Sequence, residues 1–193
     1  MKKSVDDMLL EFHLDDLIDE SRLLTEVSVK DMERMLFNKK TAIISPYRGE
    51  LGKGENKRRL AQFMRELQAL NLRAFKQKGF WEDDPTEISF IIPGMKWSDA
   101  VRLGKERYEQ DAIIYSLGNG FVALADFRTG KVYWASSADI YADPKKRAER
   151  RKNQPGRAPS QLRNISVDLD FNWDVATPLS MGAPPAPPKS MTG

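Results

Sequence analysis

Between Thr41 and Ala135 the apolar residues switch repeatedly between strand spacing and helix spacing, and this alternation limits the available folds more than any other feature. Thr41-Ala42-Ile43-Ile44 reads as a short strand, and Pro46, Gly49, Gly52 and Gly54 make the following loop. Leu60, Phe63, Met64 and Leu67 then give one apolar face to a helix from about Glu55 to Phe75. Gly79 to Pro85 reads as a loop. Ile88, Phe90 and Ile92 alternate with Glu87 and Ser89 until Pro93-Gly94 stops the strand. Ser98 caps a helix to about Tyr108, with Trp97, Val101, Gly104 and Tyr108 on its inner side. Three strands follow, Ala112–Leu117, Phe121–Phe127 and Lys131–Ala135, joined by the turns Gly118-Asn119-Gly120 and Arg128-Thr129-Gly130. The order predicts an α+β domain: a small mixed sheet with two packed helices.

This core spans residues 41–141, and its ends differ from it in composition. Residues 1–40 form a helical extension. Val5, Met8, Leu9 and Phe12 lie at helical spacing over 5–20, and Ser28 is placed to cap a second helix from Val29 to Phe37. Residues 142–193 read as a basic and proline-rich disordered tail with one strand pattern over 165–171. There Ile165, Val167, Leu169 and Phe171 alternate with Ser166, Asp168 and Asp170. The stretch Ala183-Pro184-Pro185-Ala186-Pro187-Pro188 favours extended polyproline geometry. On this division residues 1–143 should fold without the tail.

Several chemistries are excluded or disfavoured. The chain has no cysteine, so disulfides and thiolate metal sites are ruled out. His13 is the only histidine and has no metal-ligating neighbour. Glu82-Asp83-Asp84 lacks calcium-loop spacing, so no metal and no cofactor are expected. Acids interrupt every apolar run near Met1, so neither an export signal nor a membrane contact is expected. A net charge of +3 hides an asymmetry: residues 1–40 hold ten acids against seven bases, while 145–163 hold eight bases against Glu149 alone.

Two regions are candidates for function. Lys145, Lys146, Arg147, Arg150, Arg151 and Lys152 would contact nucleic-acid phosphates without reading sequence, or form a solvated linker. Arg48, Glu50, Glu55, Asn56 and Arg59 come from the glycine-rich loop and helix start, with Glu87 and Ser89 on a strand and Gln110-Asp111 before another. As an enzyme, Arg48 and Arg59 would hold a nucleotide or other phosphate-bearing ligand while Glu87 acts as base. As structure, the same residues would fix the loop. The structural reading is preferred, because ordinary ion networks resemble active sites in composition. The loop is no Walker motif, since no Lys-Ser or Lys-Thr pair follows the glycines.

The segments Ala42-Ile43-Ile44-Ser45-Pro46-Tyr47-Arg48-Gly49-Glu50 and Glu55-Asn56-Lys57-Arg58-Arg59 resemble a group of small tailed-bacteriophage proteins of unassigned activity. Glu87-Ile88-Ser89-Phe90 and Tyr108-Glu109-Gln110-Asp111-Ala112-Ile113-Ile114-Tyr115 extend the resemblance over roughly residues 42–125. It implies a phage origin and supplies no catalytic residues. The resulting expectation is a non-enzymatic phage accessory protein, virion-associated or in the host cytoplasm, binding a phage or host protein or nucleic acid through its extensions. Its oligomeric state is left open.

Overall fold

A computed structural model of the chain describes residues 29–81, 84–136, 140–141, 159–162, 165–169 and 171–192. The expected helix over 5–20, Ser28, His13, Glu82, Asp83 and the cations from Lys145 to Lys152 lie outside the described residues. Helix α1 spans Val29–Asn38, α2 Lys53–Ala69 and α3 Trp97–Val101. The last runs directly into a π-helical turn, Arg102–Arg107. The strands are β1 Lys40–Ile44, β2 Phe75–Trp81, β3 Asp84–Pro93, β4 Ala112–Leu117, β5 Phe121–Asp126, β6 Lys131–Ser136, β7 Ile140–Tyr141, β8 Pro159–Leu162, β9 Ile165–Leu169 and β10 Asn172–Pro178.

The strands follow the spatial order β10-β6-β5-β4-β1-β3-β2-β8-β9-β7. The run from β10 to β2 is a seven-stranded sheet. The α+β class therefore stands, but every pair is antiparallel rather than mixed. The reason is β2. It forms an antiparallel pair with β3, Phe75 opposite Ile91, and so occupies residues expected to be helix end and loop.

Alternation along the strands sorts the core into two faces. Ala42, Ile44, Phe90, Ile92, Ile113 and Tyr115 pack with Leu60, Phe63 and Leu67 of α2 and with Trp97, Val101 and Leu103 of α3 and its extension. Ile43, Ile91, Val122 and Leu124 pack with Leu36 of α1. Donors on the sheet take up the carbonyls at the end of α1: Thr41 Oγ1 donates to Met35 O at 2.8 Å, Ser116 Oγ to Leu36 O, and Gly120 N to Phe37 O at 3.1 Å.

Helix α2 stops before Phe75 for a local reason. Asn71 adopts a left-handed conformation (φ 54°). Its amide donates to Gln68 O at 2.9 Å, and the Leu72 amide to Leu67 O at 2.9 Å. These two bonds, with Leu72 packed on the core, are the Schellman arrangement that closes a helix.

The larger departure concerns the tail. Strand β10 pairs with β6, Ala176 opposite Tyr133 and Thr177 opposite Val132. Phe171 is only 2% exposed. Beyond the strand, Leu179 packs against both the α2-side core and the Ala123–Val132–Trp134 cluster, and Met191 joins that second cluster. Pro185 is buried. Two indole donors hold this segment: Trp134 Nε1 to Thr177 Oγ1 and Trp97 Nε1 to Ser180 O, each 3.1 Å. The core thus extends well past Tyr141, and residues 171–192 are part of the folded body.

Candidate functional site

Of the residues grouped from the sequence around Arg48, Arg48, Glu50, Asn56, Arg59 and Gln110 meet where three elements converge, the 45–51 loop, the start of α2 and the exit of the π turn, while Glu55 pairs with Arg58 at 3.6 Å and Asp111 with Arg128 at 3.7 Å. Asn56, buried in the first turns of α2, is the centre. Its Oδ1 accepts from Arg48 N at 3.0 Å, and its Nδ2 donates to Arg48 O at 2.9 Å and Leu51 O at 3.0 Å. One amide therefore satisfies three backbone groups of a loop that has no ladder of its own.

Arg59 lies about one turn further along α2, on the same side. Its Nε donates to Pro46 O at 2.8 Å and its Nη2 to Tyr108 O at 2.6 Å, with the guanidinium 5.4 Å from the centre of the Tyr108 ring. Arg48 reaches the same exit from the other side. Its Nη1 donates to Glu109 O at 2.8 Å and lies 3.5 Å from Glu109 Oε2, while its Nε pairs with Glu50. The Arg48 side chain is 30% exposed.

The exit itself is unusual. Tyr108 N donates to Leu103 O at 2.9 Å, the five-residue step of a π turn, and Gln110 N donates to Gly104 O at 2.8 Å. Glu109 between them is left-handed (φ 51°), a region that non-glycine residues seldom occupy. Gln110 closes the group, accepting from Ser45 N at 3.3 Å and donating to Tyr47 O at 3.4 Å. Ser45 Oγ in turn donates to Ile88 O at 2.8 Å, tying the loop to β3.

Two buried polar atoms beside the network, the Tyr108 hydroxyl and Glu66 Oε2, have no hydrogen-bond partner among the described residues. Glu50 is held below the usual carboxylate range, first by a bond from its own backbone amide and then by Arg48. Burial, reinforced by the nearby Glu66 carboxylate, pushes the Tyr108 phenol far above the ordinary tyrosine value. Burial likewise pushes Tyr115 up to about 12, and its hydroxyl donates to Met95 O at 2.9 Å. Both phenols are neutral at physiological pH. Among the described residues no group of three acids or histidines could hold a metal ion, and no helix is long and apolar enough to cross a membrane.

Of the three candidate catalytic residues, the structure joins Arg48 and Arg59 through Tyr108-Glu109. The backbone of Glu87 lies opposite Gly79 in β2, and its side chain is outside the described residues. Among the described side chains, Arg48 pairs with Glu50 and Glu109. Sequence reasoning missed Ser45 and Glu109. Serine beside proline gives no distinctive pattern, and a left-handed glutamate has no compositional signal.

The comparisons coincide with this group. Residues 45–113 match a family described as a protein of unknown function, DUF3293. The match runs from Ser45 through Gln110 and so includes all the residues of the network, and it carries no indication of phage origin. No curated protein and no solved structure matches the chain.

Proposed function

We propose that the chain is a non-enzymatic binding protein that holds nucleic-acid phosphates through Lys145, Lys146, Arg147, Arg150, Arg151 and Lys152. One observation carries this reading: both arginines that an anionic ligand would use are already committed. Arg59 donates to two carbonyls, and Arg48 to a carbonyl and two carboxylates. A phosphate arriving there would have to displace bonds that fix the loop, and Glu50 and Glu109 would repel it. That argues against the alternative of an enzyme using Arg48, Arg59 and Glu87 on a nucleotide.

The remaining concentration of positive charge is the basic stretch, eight cations against one acid over 145–163. It is tied to the sheet on both sides, by β6 before it and β10 after it. A stretch of this charge suits backbone contact without sequence readout. The resemblance over residues 42–125 supports a tailed-phage setting, in the host cytoplasm or the virion. Co-purification with phage particles tests that part.

The binding is tested with the full chain and a variant carrying Gln at the six cations. Labelled duplex of mixed sequence should bind at low salt, and the variant should lose affinity and flatten the log–log salt slope by about one unit per phosphate contact removed. Equal affinities and equal slopes would overturn the nucleic-acid reading and leave a protein-binding arm.

A further inference from the structure

The Tyr108 side chain lies against one side of α2. Arg59 Nη2 donates to the Tyr108 carbonyl at 2.6 Å, the Arg59 guanidinium is 5.4 Å from the ring centre, and the Phe63 ring meets it edge to face at 5.3 Å and 86°. Arg59, Phe63 and Glu66 follow at helical spacing along that side. The ring therefore runs from Arg59 toward Glu66, and the Glu66 carboxylate acts with burial to hold the phenol neutral. Glu66 is fixed in turn, since its Oε1 accepts from Arg107 Nε at 2.9 Å.

The tip of this assembly differs from the rest of it. The Tyr108 hydroxyl and Glu66 Oε2 are both buried without a hydrogen-bond partner among the described residues. A buried phenol ordinarily has one, as Tyr115 does in donating to Met95 O at 2.9 Å. The two atoms are complementary, a hydroxyl that can donate and a carboxylate oxygen that can only accept, yet they do not bond to each other. Whatever joins them must accept from the phenol and donate to the carboxylate. A water molecule does both, whereas an ammonium ion only donates and a halide ion only accepts. The Glu66 side chain is 22% exposed, so solvent lies one side chain away.

We infer that a single ordered water joins Tyr108 Oη to Glu66 Oε2 and acts as a structural ligand of the clamp between α2 and the π turn. The phenol donates to the water and the water donates to Oε2, so the carboxylate holds Arg107 with one oxygen and the water with the other. Both ends of Tyr108 are then tied to α2, the carbonyl through Arg59 and the hydroxyl through the water. Internal waters of this kind satisfy polar groups that the chain itself does not reach, and removing them is costly. The site lies within residues 45–113 and is independent of the nucleic-acid reading.

The test combines a crystal structure of the full chain with urea unfolding of Tyr108→Phe and, as a yardstick, Tyr115→Phe. Density for one water at about 3 Å from both Oη and Oε2 is expected. A phenol that holds a water makes Tyr108→Phe costly, with the unfolded-to-folded ratio rising about tenfold, comparable to the loss in Tyr115→Phe. A dry, unpaired hydroxyl gives a different sign, because its removal leaves stability unchanged or raised. Unchanged or raised stability of Tyr108→Phe therefore overturns the inference. So does a crystal structure in which no water contacts both atoms, whether they bond directly or stay dry. Should Tyr108→Phe fail to fold, the density alone decides.

Discussion

Asn56 shows how a single side chain can decide what a loop is for. Its amide makes three hydrogen bonds to the backbone of residues 48–51, so truncation strands buried or half-buried polar groups rather than removing one neutral contact. Asn56→Ala should therefore lower stability by about 2–3 kcal/mol, read from urea unfolding. Arg48→Ala should cost only about 1 kcal/mol, because its ion pairs are partly solvated. The reverse ranking would mean that Arg48, not Asn56, organises the loop. From the sequence, the polar group around Arg48 was legible as residue types near one another in space. What was not legible is the partner set. Arg48 pairs with Glu50 and Glu109 because a left-handed turn turns the Glu109 carbonyl toward it, and no pattern in Tyr108-Glu109-Gln110 announces that turn.

Among the elements, the helix that begins at Trp97 departs furthest from a regular reading. Its inner residues Trp97, Val101, Gly104 and Tyr108 were legible from spacing, and all four are buried. The switch to a π turn was not, because it is imposed by close approach to β4. A Cβ on Gly104 would lie 2.4 Å from Ile113 Cγ2. Glycine-to-alanine ordinarily strengthens a helix by about 1 kcal/mol, but here overlap should reverse the sign. Gly104→Ala is expected to destabilise by about 1–3 kcal/mol, and Gly104→Ala with Ile113→Ala should lose less than the sum of the two single variants. A stabilised Gly104→Ala would show that the π turn is not set by this contact. Strand β2 was hidden for a different reason. Lys76, Lys78 and Gly79 give Phe75–Trp81 a poor strand pattern, and only pairing with β3 makes it one. The helix end before it did carry a signal, Asn71, whose left-handed conformation closes the helix.

At the scale of the molecule, the C-terminal segment is part of the folded sheet. A chain ending in polar strand residues and prolines reads as an appendage, since composition reports only local preference. Its position is decided by non-local contacts: β10 on β6, Phe171 and Leu179 in the core, and the two indole bonds to Thr177 and Ser180. In the chain, the cations from Lys145 to Lys152 fall between β6 and β10, which pair with each other. Thermal unfolding of a chain shortened to residues 1–170, beside the full chain, tests this most directly. Removing a buried phenylalanine alone costs about 3–5 kcal/mol, a large part of a typical domain's stability. The shortened chain should lose its cooperative transition or melt on the order of 10 °C lower. An unchanged midpoint would contradict the place of β10 and Phe171 in the folded body and return residues 171–192 to the status of a dispensable tail.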